Sequence, residues 1–143
     1  MAPTVLLVED NPDHAVFALK ALRDGPPTTQ VVWAKDGEEA MAYLQRGPEA
    51  EVKPALRPGM ILLDIHLPKM GGHEVLRWVK TDDRLRTIPV IMLTTSASDD
   101  DVATSYGAGA NSYITKPVSS TEFRAHIKAV KEYWLLTNKA PAA

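Results

Sequence analysis

Three short runs along the chain are apolar at every position, and each ends in polar residues of reactive type. Val5–Val8 ends in Glu9–Asp10, Met60–Leu63 ends in Asp64, and Val90–Leu93 ends in Thr94–Thr95–Ser96. Runs this short and apolar on both alternations predict central strands of a parallel sheet covered on both faces. Gln30–Ala34 and Ser112–Ile114, the latter followed by Thr115–Lys116–Pro117, are weaker strands that bring the total to five.

Helical spacing fills the intervals. Asn11 followed by Pro12 marks a helix start, with a capping oxygen where orphan amides need one. His14, Phe17, Ala18, Ala21 and Leu22 then form a predicted buried stripe. A second helix opens at Asp36–Gly37, runs through Ala40, Met41 and Leu44, and closes at Gly47–Pro48. A third covers Glu74–Lys80 with Val75, Leu76 and Val79 inward; a fourth runs from about Asp99 to Gly107. The last begins near Ser119, with Phe123, Ile127, Val130 and Trp134 on one face. Five alternations of strand and helix argue an α/β doubly wound fold in a single domain over 1–143. Its core is expected within about residues 3–130, with a helical extension and frayed tail over 131–143. Arg46–Pro58, rich in Pro, Glu and Ala, reads as an unusually long solvent-facing loop.

Composition narrows the function classes. The chain is 45% apolar and 24% charged, which suits a folded domain. Eighteen acidic against sixteen basic residues leave a net charge of -2, no footprint for nucleic acid or an anionic membrane. There is no cysteine, which removes disulfides, thiolate metal sites and cysteine nucleophiles together. No apolar run approaches membrane-spanning length. The expectation is a soluble, cytoplasmic protein.

In an open parallel sheet, ligands collect beyond the carboxyl ends of the strands. Glu9, Asp10, Asp64, Thr94 and Lys116 all follow or end such runs and are predicted to converge. Three clustered carboxylates repel one another and resist ionisation. A hard divalent cation and a nearby ammonium offset that cost, and oxygen-only ligands suit magnesium better than zinc. The set makes chemical sense as phosphoryl transfer: one carboxylate attacks phosphorus, the metal and a lysine neutralise its oxygens, and a hydroxyl senses the product.

The strings LLVEDN (6–11), ILLDIHLPKMGG (61–72), PVIMLTTS (89–96) and GANSYITKP (109–117) resemble the bacterial response-regulator receiver family. The intervals of 30 residues from Asp64 to Thr94 and 22 from Thr94 to Lys116 fit its pattern. The resemblance implies a flavodoxin-like sheet of five parallel strands in the order 2-1-3-4-5 with five helices. It implies Asp64 as phosphoacceptor, with Mg2+ held directly by Asp10, Asp64 and the backbone carbonyl of His66, and by Glu9 through water. Thr94 and Lys116 would contact the bound phosphoryl group, and Tyr113 would be the aromatic switch. The long loop before Pro58, the Thr94–Thr95–Ser96 triplet and the ending KEYWLLTN narrow the likeness to single-domain regulators paired with bacterial phytochromes. Lys69–Met70 stands where many relatives carry an aspartate before glycine, a change of turn chemistry.

Such a protein is no enzyme in the ordinary sense; its partner is a sensor histidine kinase, here of phytochrome type. A phosphatase on the same fold wants a second aspartate two residues past the nucleophile, where this chain has His66. A phosphorylation-independent interaction module would normally lack part of the site. A nucleotide site fails for want of a glycine-rich loop after the first strand. His14 and His66 read as ordinary helix and loop residues rather than side-chain metal ligands. Asp99–Asp100–Asp101 reads as the negative charge that helix N-termini favour. Val16 and Leu19, off the buried stripe, are expected to form a kinase-docking patch. Tyr133, Trp134, Leu135 and Leu136, apolar on more than one side of the last helix, suggest a symmetric homodimer.

Overall fold

The structure is a computed structural model and describes residues 2–45 and 57–141. Five strands, β1 (Thr4–Val8), β2 (Gln30–Ala34), β3 (Pro58–Leu63), β4 (Val90–Thr94) and β5 (Ser112–Thr115), form one parallel sheet. Their order is β2-β1-β3-β4-β5, as the resemblance implied. Helices α1 (Pro12–Arg23), α2 (Gly37–Gln45), α3 (Gly72–Thr81), α4 (Asp99–Gly107) and α5 (Ser120–Glu132) connect and cover the strands. The central strands β1, β3 and β4 are almost wholly buried, whereas the edge strands β2 and β5 are half-exposed. Burial on both faces is why the central runs carry no polar alternation.

Two apolar clusters sandwich the sheet. Leu6, Val8, Ile61, Leu63, Val90 and Met92 point to one face, where α2 and α3 add Ala40, Leu44, Val75, Leu76 and Val79. Val5, Leu7, Met60, Leu62, Ile91 and Leu93 point to the other, where α1 and α5 add Ala15, Ala18, Ala21, Leu22, Phe123 and Ile127. Alternate residues of one strand thus feed opposite cores.

The buried stripe of α1 differs from the sequence expectation. Ala15, Ala18, Ala21 and Leu22 are buried, while Phe17 is 51% exposed and His14 only partly covered. Mostly small residues of α1 face the sheet beside α5, whose Phe123 and Ile127 join the same core. Val16, 46% exposed, and Leu19, partly exposed at the margin of the α1/α5 core, both lie off the buried stripe as expected. The long loop expected at Arg46–Pro58, with the helix stop at Gly47–Pro48, lies outside the described residues except for Arg57 and Pro58, which opens β3.

The chain's last turn changes character. After α5 a π-helical turn, Tyr133–Thr137, packs Trp134 and Leu135 onto the α1/α5 core and leaves Tyr133 and Leu136 exposed. The fold thus covers part of this apolar set and leaves Tyr133 and Leu136 facing solvent, in keeping with a set too apolar for one chain to bury whole. Among the large buried side chains is Lys131, unexpected from its type. Its ammonium donates to the carbonyls of Leu22 (3.1 Å), Asp24 (2.9 Å) and Gly25 (2.8 Å) at the end of α1. Helix carboxyl ends leave carbonyls unpaired, so a buried cation there is well matched. No described helix is long and apolar enough to cross a membrane.

Candidate functional site

The sheet register explains how residues far apart in sequence meet. Val8 pairs with Leu63, so Glu9 and Asp64 leave the sheet side by side. Thr94 pairs with Thr115, so Lys116 emerges from the neighbouring edge. Backbone bonds pin each departure point: Glu9 N–H to Ala34 O at 3.0 Å, Asp64 N–H to Val8 O at 3.1 Å, and Lys116 N–H to Thr94 O at 2.7 Å.

Glu9, Asp10 and Asp64 come together as predicted. One carboxylate oxygen from each lies within 4.8 Å of the others, the single such acidic or histidine group among the described residues. Glu9 and Asp64 are buried, and Asp10 is exposed. The Lys116 side chain, only 4% exposed, reaches into this cluster. Its Nζ donates to Glu9 Oε1, to Asp64 Oδ2 at 3.2 Å and to His14 Nδ1 at 3.1 Å.

Burial pushes the Glu9 carboxyl up to about 7, against the opposing pull of the Lys116 ammonium; the negative charge of Asp64 adds to the rise. A carboxylate this reluctant to ionise, beside two others, is one whose charged form a further positive charge would favour. The donors are all oxygens, with Asp10 exposed to solvent, which fits a hard, partly hydrated divalent cation. Glu9 is held in place from three sides. Its carbonyl accepts the Trp33 indole N–H at 2.8 Å, its Oε2 accepts Asn11 N–H at 3.1 Å, and Lys116 takes Oε1.

Asp64 Oδ1 accepts the His66 N–H at 3.3 Å, and the loop beyond turns tightly enough for Gly72 N–H to reach Ile65 O at 2.8 Å. The His66 side chain is exposed and is not among the acid cluster's Glu9, Asp10 and Asp64. Gly72 permits this approach: a Cβ there would stand 2.0 Å from Asp64 O.

Thr94 is fully buried and its Oγ1 accepts the Ser96 N–H at 3.4 Å. Tyr113 is half-buried, and its hydroxyl donates to Ser96 O at 2.8 Å. The Tyr113 ring thus holds the loop that follows Thr94. Ser96 Oγ donates in turn to Asp101 Oδ2 at 2.5 Å, and Ser98 Oγ caps α4 through Asp101 N–H at 3.1 Å. The three aspartates at 99–101 therefore occupy the first turn of α4, as expected.

Sequence reasoning missed three participants. His14, expected within the buried stripe, turns to Lys116. Trp33 looked like a plain strand residue yet fixes the Glu9 carbonyl. Gly72 carried no signal beyond its place in the Gly71–Gly72 pair.

Residues 5–128 match the response regulator receiver domain family. The probable methanogenesis regulatory protein FilR2 of Methanothrix harundinacea is 43% identical over 137 residues, covering 96% of this chain and 86% of that protein. Response regulator Rcp1 of Synechocystis is 38% identical over 139 residues, covering 97% and 93%. The crystal structure of its Mn(2+)-bound form superposes with a TM-score of 0.86 at 37% identity, over 98% of this chain and 99% of that one. The crystal structure of the phosphorylated cyanobacterial phytochrome response regulator RcpA gives a TM-score of 0.90 at 40% identity, over 99% and 100%. With a family match this long and relatives aligned almost end to end, the chain belongs to the response regulator receiver domain family of two-component signalling, close to the phytochrome response regulators.

Proposed function

We propose that this receiver takes a phosphoryl group onto Asp64 from a sensor histidine kinase of phytochrome type, in a magnesium-dependent reaction in the cytoplasm. The observation that carries the reading is the Lys116 ammonium lodged between buried Glu9 and Asp64. A carboxylate oxygen of Asp64 forms the new O–P bond while the N–P bond of the donor phosphohistidine breaks, and the imidazole leaves. Lys116 pairs with a phosphoryl oxygen as it turns from Asp64 Oδ2. Asp10, Asp64 and the carbonyl of His66 would hold Mg2+ directly, with Glu9 acting through water. Bound there, the cation supplies positive charge to the non-bridging oxygens. The relatives support this chemistry, since the Rcp1 structure is an Mn(2+)-bound form and the RcpA structure a phosphorylated one.

Thr94 then hydrogen-bonds the phosphoryl group and draws the following loop with it. Tyr113, tied to Ser96 O, senses that movement. Output is through altered protein contacts rather than turnover of an external substrate. For the kinase, the exposed pair Val16 and Phe17 on α1 offers the apolar contact, with Leu19 contributing only its uncovered part.

Incubation with acetyl phosphate and Mg2+ is expected to give near-stoichiometric, alkali-labile phosphate on the chain, and a chelator is expected to remove the reaction. Incorporation that is stable to alkali, or indifferent to the chelator, would overturn the acyl-phosphate reading. A second element of the proposal is a symmetric homodimer through the π-helical turn. Exposed Tyr133 and Leu136 form its contact, on a base of Trp134 and Leu135 packed inward. Sedimentation at tens of micromolar is expected to show a dimer that Tyr133→Ser with Leu136→Ser disperses; a wild-type monomer, phosphorylated or not, would remove the idea.

A further inference from the structure

We infer that His14 is a positioning residue for Lys116, fixing the rotation of its ammonium so that one N–H is left for the phosphoryl group. The inference rests on the reading of Asp64 as phosphoacceptor and adds a residue to it.

An ammonium has three N–H bonds and no capacity to accept. In Lys116 each has a partner: Glu9 Oε1, Asp64 Oδ2 at 3.2 Å and His14 Nδ1 at 3.1 Å. Facing an ammonium, His14 Nδ1 must be the accepting nitrogen, which assigns the ring proton to Nε2. The backbone that carries the imidazole is held. His14 sits in the first turn of α1, where Asn11 Oδ1 accepts its backbone N–H at 3.2 Å. The helix start thus fixes the backbone from which the third acceptor projects.

The three partners have different fates on phosphorylation. Asp64 Oδ2 loses its claim on the lysine as the carboxylate becomes an acyl phosphate, while Glu9 and His14 are unchanged. With two N–H bonds held, the third has one direction left, and that direction is the phosphoryl oxygen. If His14 is removed, the ammonium keeps one fixed partner and is free to rotate about the Cε–Nζ bond. The imidazole is 38% exposed and Lys116 4% exposed, so the ring also stands between the ammonium and water. A shield alone needs only bulk, whereas a positioning role needs the accepting atom.

That difference sets the test. Beryllofluoride, with Mg2+ present, serves as the phosphoryl probe, titrated by tryptophan fluorescence because the Trp33 indole contacts the Glu9 carbonyl. His14→Ala and His14→Phe are each expected to weaken beryllofluoride binding about tenfold, the scale of one hydrogen bond to a charged donor. His14→Asn, which returns an accepting atom near the same place, is expected within about threefold of wild type. Mg2+ affinity without beryllofluoride is expected within about twofold of wild type in all three variants, because the carboxylates are untouched. In a Lys116→Ala background the same His14 substitutions are expected to add nothing further. Unfolding midpoints identify any variant that has lost its fold, and His14→Asn against His14→Phe then decides the question. Wild-type affinity in His14→Phe, or additivity in the Lys116→Ala background, overturns the positioning role. Failure of the wild type to bind beryllofluoride overturns the Asp64 reading itself, and the inference with it.

Discussion

Asp64→Asn is expected to end phosphoryl uptake from acetyl phosphate or a kinase while the fold survives. The amide keeps the size of the carboxyl and an oxygen to accept the His66 N–H, now at 3.3 Å from Oδ1. It lacks the nucleophilic charge, and it cannot accept the Lys116 ammonium as strongly as Oδ2 does. Removing this charge also relieves Glu9, whose carboxyl is pushed up to about 7 by burial first and by Asp64 among the lesser causes. The loss of one ion-pair partner and the relief of one repulsion oppose each other, so stability is expected to move by about 1 kcal/mol or less. Intact-mass spectrometry after phosphodonor treatment is the direct measurement, with a urea titration alongside. A phosphorylated Asp64→Asn chain at wild-type stoichiometry would place the acceptor on another side chain.

Gly72→Ala is expected to cost about 3–5 kcal/mol, a large part of the stability of a domain this size. The added Cβ would meet Asp64 O at 2.0 Å, Ile65 Cα at 2.7 Å and Asp64 C at 2.9 Å. All three are backbone atoms, so no flexible side chain can move aside. Relief requires α3 to retreat from the loop after β3, breaking the Gly72 N–H to Ile65 O bond of 2.8 Å and displacing Asp64. The adjacent Gly71 is the internal control, since a Cβ there has its nearest neighbour, Ile65 O, at 3.9 Å. Gly71→Ala is expected to cost about 1 kcal/mol or less. Urea midpoints of the two variants within about 0.5 kcal/mol of each other would show that the crowding at Gly72 is absorbed without strain.

The frame of the molecule was legible because its signals are local. β1, β3 and β4 are apolar on both alternations, and expectation and structure agree to within two residues at each end. The acid cluster was legible too, since parallel strands deliver their carboxyl ends to one edge. What escaped depends on how elements pack. Hydropathy ranks Phe17 above Ala15, yet the closeness of α1 to the sheet and to α5 selects the small residue. Nothing in the dipeptide Gly71–Gly72 says which glycine faces the Asp64 carbonyl. His14 and Lys116 stand 102 positions apart, and only the assembled sheet makes them neighbours. Lys131 was unreadable for the opposite reason: its charge suggests solvent, while three carbonyls of the α1 end supply the polar surroundings inside.

That lysine gives α1 two fixed ends of different kind. At its start the helix carries Asn11 and His14 against the acid cluster. At its finish it is bolted to α5 two residues before Tyr133. A helix is stiff along its axis, so α1 is a strut running from the chemistry to the chain's last turn. Val16 and Phe17, the contact proposed for a kinase, lie along this strut. One stiff element carrying the proposed kinase contact thus joins the acid cluster to the carboxy-terminal turn without passing through Thr94 or Tyr113.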